Sequence, residues 1–271
     1  MVGRASTHHI DVRGDQVTKR FTSADRGEPE REWRALRLLA EHSPGLVPQP
    51  IDADLTARPP YVVMSRLAGI PLRGMTTTPR HTAAMARAIR ALHEAIPPSV
   101  LAGLPPAPWS PAAAVAKAQA LCGKRPDLGA DPTVAHAYAA GAKWLDGLDT
   151  GRLLGLDTPV FGLADGNLAN YLWDGEQVRL VDFEDSGRSD RAFELAEVAE
   201  HISTRTPGTF DAAALLGEFD LPGAVAGRVR DFRRVFAYSW MLMLGPGGPA
   251  RDRNPPGTLE RQAGRLLDLL G

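Results

Sequence analysis

The sequence predicts an α+β protein of two unequal parts, a small β-rich N-terminal unit and a larger, mainly helical remainder. Three observations carry this. Short apolar–polar alternations fill the chain up to about residue 70. Beyond them, apolar residues recur at three- and four-residue spacing over long segments. Between residues 163 and 185, a pair of short apolar runs carries Asp165, Asn170 and Asp182, where buried strands would place Leu, Val or Tyr.

In chain order, STHHIDV and QVTKRF read as strands flanking the polar turn at Arg13–Asp15. EPEREWRALRLLAEH is a helix: Trp33, Leu36, Leu39 and Ala40 recur at helical spacing, and acids occupy the first turn, where the helix dipole favours them. PQPIDAD and PPYVVMSRLAG are two more short strands, the second closed by Gly69. Helices then dominate. TPRHTAAMARAIRALHEAI enters through Thr-Pro and places Met85, Ile89, Leu92 and Ile96 on one face. The Pro-rich stretch 97–111 reads as a connector. Two Ala-rich helices open at Ser110-Pro111 and Asp131-Pro132, each a cap residue followed by Pro at the first helical position. After the strand pair, Asp190 caps RAFELAEVAEHIS, and two or three more helices follow. LGPGGPARDRNPPG interrupts them as a flexible break suited to a loop near a site. No internal repeat is visible.

Composition bounds the function. A chain of 271 residues allows one large or two small domains. The formal net charge of -1 gives no reason to expect a nucleic-acid partner or an anionic membrane surface. No apolar run approaches the roughly 20 residues that span a bilayer, and MVGRASTHHIDV lacks a signal-peptide core. Cys122 is the single cysteine, so no intrachain disulfide forms; a cytoplasmic location is expected. Arg is the default cation, and Lys19, Lys117, Lys124 and Lys143 are the only lysines. A lone N-terminal Lys19 therefore hints at a need for a compact ammonium.

Asp165 and Asn170 stand just ahead of the strand YLW; the turn DGEQ leads to VRLVDFED, whose strand ends at Asp182. An antiparallel hairpin of this kind brings all three side chains to one end. Taken singly, each reads as a turn or strand-end polar group. Taken together they suit Mg²⁺, which accepts a few protein oxygens and completes its shell with water and phosphate. Asn170 and Asp182 fit as its ligands, and Asp165 is left to orient an attacking hydroxyl and take its proton. The same order, an Asp, an Asn five residues on and a second metal Asp on a following strand, is that of kinase catalytic loops.

The stretch LADGNLANYLWDGEQVRLVDFEDSGRSDRAFELAEVAEH resembles the aminoglycoside phosphotransferase and choline kinase-like small-molecule kinases. Their members carry a His-Gly-Asp loop, an Asn, a strand, and an Ile-Asp strand ending before GR-x-x-D. The resemblance implies a bilobal protein-kinase-like fold, with residues 1–67 as an N-terminal nucleotide-binding lobe and 68–271 as a C-terminal catalytic and substrate-binding helical lobe. It implies Asp165 as the catalytic-loop acid, Asn170 and Asp182 as holders of Mg²⁺, and Asp190 and Glu194 as parts of the structural segment that follows. Motif-level similarity runs from about residue 3 to 205. One departure stands out: Leu163-Ala164 occupy the place of His-Gly. That His supports the loop and is not the proton acceptor, so the departure bears on loop geometry.

A phosphoryl-transfer site also needs a cation on the α/β-phosphates, held by a helix Glu. Lys19 lies mid-strand in QVTKRF, and Glu32 follows Arg31 early in the next helix, as in the family's Arg-Glu pair; Glu28 and Glu30 are alternative partners. VVMSRLAG resembles the hinge between lobes, where backbone groups of Ser65 and Leu67 would meet a purine edge. GRAST (3–7) is a candidate phosphate-covering loop, and the absence of a complete first strand implies an abbreviated lid.

The expected activity is transfer of a phosphoryl group from ATP or GTP, with Mg²⁺, to a hydroxyl of a small molecule. The family suggests an antibiotic acceptor, an aminoglycoside or another sugar- or nucleoside-containing compound, and hence resistance. A choline- or sugar-like metabolite is the alternative. Two rivals come from other classes: a nucleotide-binding pseudokinase regulator, motivated by Leu163-Ala164, and a metal-dependent phosphohydrolase using the same acids. Neither accounts for Lys19 and Glu32 as well. Glu184 and Asp185 either attract a cationic acceptor or complement a helix dipole, and the weakly acidic insertion at about 97–150 argues against a polycation.

Other features read as structural. His8 and His9 point to opposite faces of a strand, with no ligand set beside them. The Arg-Gly-Asp at 13–15 is a turn. Arg228, Arg230, Arg233 and Arg234 form a solvated basic helix face, and Trp240, Met241 and Met243 are core. Ser186 and Ser239 lack a nucleophile-elbow context.

Overall fold

The computed structural model describes residues 8–271 except 23–24, 125, 127, 156–158 and 207–208. The candidate phosphate-covering loop at 3–7 lies outside the described residues. The N-terminal alternations form strands β1 (His8–Arg13), β2 (Gln16–Phe21), β3 (Pro50–Asp54) and β4 (Tyr61–Ser65), with helix α1 (Glu28–His42) between β2 and β3. They make a four-stranded antiparallel sheet in the order β1-β2-β4-β3. β2 is central, so Lys19 faces Ile10 on one side and Val62 on the other. Helix α1 packs on β3 and β4 through a stripe that includes Glu28, Glu32, Ala35, Leu36 and Leu39. Burying Leu36 and Leu39 is worth about 1.5–3 kcal/mol each. Two acids on that stripe need partners, which the site supplies.

The remainder begins with β5 (Ile70–Pro71), α2 (Pro79–Ala95), α3 (Pro98–Ala102), α4 (Pro111–Gly123), α5 (Pro132–Asp146) and α6 (Thr150–Leu154). Next come β6 (Pro159–Gly162), β7 (Tyr171–Trp173), β8 (Val178–Leu180), β9 (Gly187–Asp190) and α7 (Arg191–Glu200). α8 (Ala212–Gly217), α9 (Gly223–Leu244) and α10 (Thr258–Leu270) complete the order. The predicted caps are present: Ser110 accepts from the Ala113 amide, Asp131 from Thr133 and Val134, and Asp190 from Phe193. β7 lies between β5 and β8 in one small sheet, and β6 pairs with β9 in another. This second pair was not expected, because β9 reads GRSD and its polar residues are buried by partners distant in sequence.

α9 is the internal helix, in contact with α4, α5, α7 and α10. Phe193 of α7 packs edge-on to Phe232, with ring centroids 5.4 Å apart. The expectation of a solvated basic face on α9 is therefore corrected. Arg228 is 6 % exposed; it donates to the Leu153 carbonyl and pairs with Asp190 at 2.9 Å. Arg233 donates to Glu200 and Arg234 to Asp231; Arg230 is the exposed member. Burial of α9 against α7 forces these charges to pair.

Candidate active site

Lys19 is 5 % exposed, on a strand paired along both edges. Its Nζ donates to Glu32 Oε2 at 3.0 Å and to Asp182 Oδ1, and lies 2.6 Å from Glu184 Oε2. The partner question is thereby answered: Glu32 holds Lys19, Glu28 pairs with Arg26, and Glu30 is exposed. Burial opposes the Lys19 charge, but the three carboxylates more than offset it and raise its pKa. Burial likewise raises Glu32, and pushes Glu184 up to about 7, while Lys19 pulls both down. Oxygens of Glu32, Asp182 and Glu184 lie within 4.8 Å of one another, around a single ammonium. His8, read as structural and without a ligand set, is buried 2.7 Å from Glu184 Oε2 and has Glu28 and Glu184 around it. His9 points outward.

The loop carrying Asp165 rests on α7. Ala164 and Asp182 are the described non-glycine residues with positive φ, 55° and 71°, a conformation that costs an L-residue about 1–2 kcal/mol. Glu194 holds Ala164 there: its Oε2 accepts from the Ala164 amide at 3.2 Å, and its Oε1 from the Ser189 hydroxyl at 2.5 Å. A Cβ on Gly166 would meet the Glu197 carbonyl oxygen and Val198 Cα at 2.7 Å, so only glycine lets the loop lie against the helix backbone. Leu163, in the place of the family's His, is buried in the core.

Asp165 is held by two hydrogen bonds and faced by a third group. Asn167 N donates to its Oδ1 at 3.1 Å, and Asn170 Nδ2 to its Oδ2 at 2.9 Å. His201 Nε2 stands 3.7 Å from Oδ1. The Ser203 amide donates to His201 Nδ1 at 3.1 Å, which leaves the imidazole proton on Nε2, facing Asp165. Ser203 Oγ accepts from Leu168 N at 3.0 Å and ties the same loop to the chain after α7. Burial, then Arg73 and Arg205, lower the His201 pKa to about 3, so the ring is neutral. Burial, with Asp182, raises the Asp165 pKa above its ordinary value.

Asn170 and Asp182 meet at one end because the Val181 amide donates to the Asn170 carbonyl at 3.1 Å, as the hairpin spacing predicts. Asp165 engages the amide nitrogen of Asn170, so its side-chain oxygen is the end left for a cation. Lys19 engages only Oδ1 of Asp182, a side chain 38 % exposed. One amide oxygen and one carboxylate oxygen, beside an excess of negative charge, are a donor set suited to Mg²⁺.

Two cavities meet here. One, of about 590 Å³, is lined by Lys19, Glu32, Ser65, Leu67, Asn170 and Asp182. The other, of about 540 Å³, is lined by Trp109, Lys117, Asp185, Ser239 and Trp240. Asp165, His201 and Arg253 border both. The seven residues singled out from the sequence thus share one cavity. At the expected hinge, the Ser65 amide already donates to Gln49 O at 2.9 Å, and no backbone bond engages Leu67 among the described residues. Trp240 and Met243 line the second cavity and only Met241 is core, which corrects the reading of all three as core. The break at 244–257 does approach the site, through Arg253. Sequence reasoning gives no functional role to His8, His201 or Lys117, and it assigns Glu184 to an acceptor or a helix dipole where the structure pairs it with Lys19 and His8.

A small antiparallel sheet with one helix, a larger helical part, and a Lys–Glu pair facing an Asp–Asn–Asp hairpin define a protein-kinase-like fold. The chain belongs to the phosphotransferase enzyme family (APH), whose model matches residues 7–232; it is a small-molecule kinase. Among solved structures, a choline/ethanolamine kinase family protein from Mesorhizobium loti is 18 % identical, with TM-score 0.63 over 98 % of this chain and 86 % of that one. A spectinomycin phosphotransferase, solved with ADP and spectinomycin, is 14 % identical, with TM-score 0.63 over 97 % and 91 %. An aminoglycoside phosphotransferase from Streptomyces rimosus is 18 % identical, with TM-score 0.56 over 84 % and 86 %. At these identities the likeness is one of fold. No curated protein matches the sequence. No helix among the described residues is long and apolar enough to cross a membrane.

Proposed function

We propose that the protein transfers the γ-phosphoryl group of ATP or GTP to a hydroxyl of a small molecule. The observation that carries this is the meeting of two cavities at Asp165, one containing the Lys19–Glu32 pair with Asn170 and Asp182. Residues 1–67 are the nucleotide lobe and 68–271 the catalytic and acceptor lobe. Lys19, held by Glu32, fixes the donor phosphates; the Ser65 carbonyl and the Leu67 backbone face the base. Asn170 and Asp182 would hold Mg²⁺, which when bound supplies positive charge to the phosphate oxygens. Asp165 orients the acceptor hydroxyl and takes its proton. The acceptor oxygen bonds to the γ-phosphorus, the bond to the β–γ bridging oxygen breaks, and that electron pair leaves with the nucleoside diphosphate. The raised pKa of Asp165 makes it a better base. The rest is positioning and charge stabilisation.

The acceptor we favour is an antibiotic containing a sugar or nucleoside, with resistance as the outcome; spectinomycin and streptomycin in the similar structures support this class. A choline- or sugar-like metabolite is the second reading, supported by the choline/ethanolamine kinase family structure. Dependence on nucleoside triphosphate and the lone Cys122 support action in the cytoplasm. The test incubates the protein with ATP or GTP, Mg²⁺ and hydroxylated antibiotics and metabolites, and reads a mass gain of one phosphoryl group. Asp165→Ala is expected to abolish transfer and keep nucleotide binding. Full turnover in that variant refutes the assignment; nucleotide binding with no product from any acceptor supports a regulator instead.

A further inference from the structure

The second cavity has a chemistry of its own. At about 540 Å³ it is large enough for a drug-sized molecule. Its walls include the half-buried rings of Trp109 and Trp240. Trp240 is braced edge-on by His201 at 5.2 Å, and Trp109 packs against Phe193 and Phe236. Rigid aromatic walls of this kind favour a flat or apolar ligand face.

The charged groups facing the cavity are Arg26, Lys117 and Arg253 against Asp165, Asp185 and Glu197. Burial raises the pKa of Glu197 well above its ordinary value, and His201 is neutral, so neither adds charge. Two of these charges are answered from within the protein, Asp185 by Arg31, 3.8 Å away, and Arg26 by Glu28, which leaves Lys117 and Arg253 against Asp165. Lys117 has no carboxylate partner among the described residues; its Nζ stands over the Trp109 ring, 5.1 Å from the centroid. The field that a ligand meets is therefore neutral to positive. Ser239 adds a second, independent sign: it is 3 % exposed, and its Oγ has no hydrogen-bond partner among the described residues. A buried hydroxyl left unpaired is costly, and this one lines the cavity.

We propose that this cavity is the acceptor site and that it selects a neutral or anionic hydroxylated compound with a flat face, such as an aryl glycoside or nucleoside, and rejects polycations and quaternary amines. The proposal rests on the phosphotransferase reading for its consequence, but its test is a binding measurement that needs no turnover. Trp240 packs against the ring, Ser239 hydrogen-bonds a polar group of the ligand, and Lys117, seated over Trp109, faces its neutral or negative end. The ammonium over Trp109 occupies the aromatic face that a cationic ligand would use and repels it.

Calorimetric titration without nucleotide, using probes that share one frame, tests this. The probes are 4-nitrophenyl β-D-glucoside (neutral), the glucuronide (anionic), the 2-amino-2-deoxyglucoside (cationic), kanamycin and choline. The glucoside and glucuronide should bind at least about tenfold more tightly than the three cations. Lys117→Glu, an exposed substitution, should reverse that order. Ser239→Ala should weaken the glucoside about tenfold without lowering the melting temperature. Tighter binding of kanamycin, choline or the amino sugar overturns the proposal, as does failure of both uncharged and anionic probes to bind. Binding in the expected order with no phosphoryl transfer to any compound would instead count against the phosphotransferase reading alone.

Discussion

Replacing Lys19 with Met removes the single ammonium that three carboxylates share. Methionine fills most of the stem's volume, so the chief loss is electrostatic. Breaking a buried ion pair by deleting one partner costs about 3–5 kcal/mol. Oxygens of Glu32, Asp182 and Glu184 remain within 4.8 Å of one another, where two ionised groups repel by about 3–4 kcal/mol at an effective dielectric of ~20. The acids respond by holding protons, which raises their folded-state pKa values further above the unfolded ones. A raised carboxyl pKa means that stability is greatest below the unfolded pKa and is lost as pH climbs through the folded one. Glu184, already pushed up to about 7 by burial, sets the window. The Lys19→Met penalty should therefore be small near pH 5 and reach several kcal/mol at about pH 8, a drop of about 6–20 °C in melting temperature. Calorimetric scans across that range measure it. MgCl₂ should restore more stability to the variant than to the parent, and Glu32→Gln should lessen the damage when added to Lys19→Met. A variant as stable as the parent at pH 8, or a deficit that does not change with pH, refutes the argument.

Two further predictions concern the support of the Asp165 loop. Burial pushes Glu194 up to about 7, so its share of stability falls as pH rises from 4.5 towards 7; Glu194→Gln, whose amide oxygen can still accept from Ala164, should flatten that slope in urea titrations. Relative to Glu194→Gln, Glu194→Ala should cost about 1–3 kcal/mol at every pH by leaving the Ala164 amide unpaired, and equal stability in the two variants would contradict the assigned bond. His201→Phe should lower kcat about tenfold with acceptor KM unchanged, and His201→Gln, whose side-chain amide can donate, should recover part of it. Because His201 stays neutral, the parent's pH–rate profile should show no limb near pH 6.5 from this ring.

What was legible in the sequence is what short-range pattern encodes. The 3.6-residue period marked α1 and α2, cap residues marked the starts of α2 and α7, and the spacing of Asp165, Asn170 and Asp182 survived because a hairpin is a local structure. Even Glu32 could be chosen, since it precedes an apolar run whose stripe it joins. Pairs that form between distant segments left no such trace. Arg228 and Arg233 look like any solvated basic face until Asp190 and Glu200 of α7 are seen beside them. Glu184 looked like an acid available to a substrate, yet its partners Lys19 and His8 lie at the other end of the chain.

Leu163-Ala164 joins the two cases. The departure from His-Gly was visible in the sequence, but its compensation was not, because the compensating polar groups, Glu194 and His201, lie on or just beyond α7. Burying Leu163 adds apolar contact where the family has an imidazole, about 1.5–3 kcal/mol by transfer. That gain is comparable to the backbone cost of Ala164 at positive φ. With no His in the loop, polar support comes from α7 and just beyond it: Glu194 fixes the Ala164 amide and His201 directs its N–H at Asp165, while Gly166 within the loop lets it lie on the helix. Support from a helix is more rigid than support from within a loop, since α7 is itself held through Asp190 and Glu200 by the arginines of α9. The loss of the loop His therefore leaves Asp165 oriented, and it makes α7 the element on which that orientation depends.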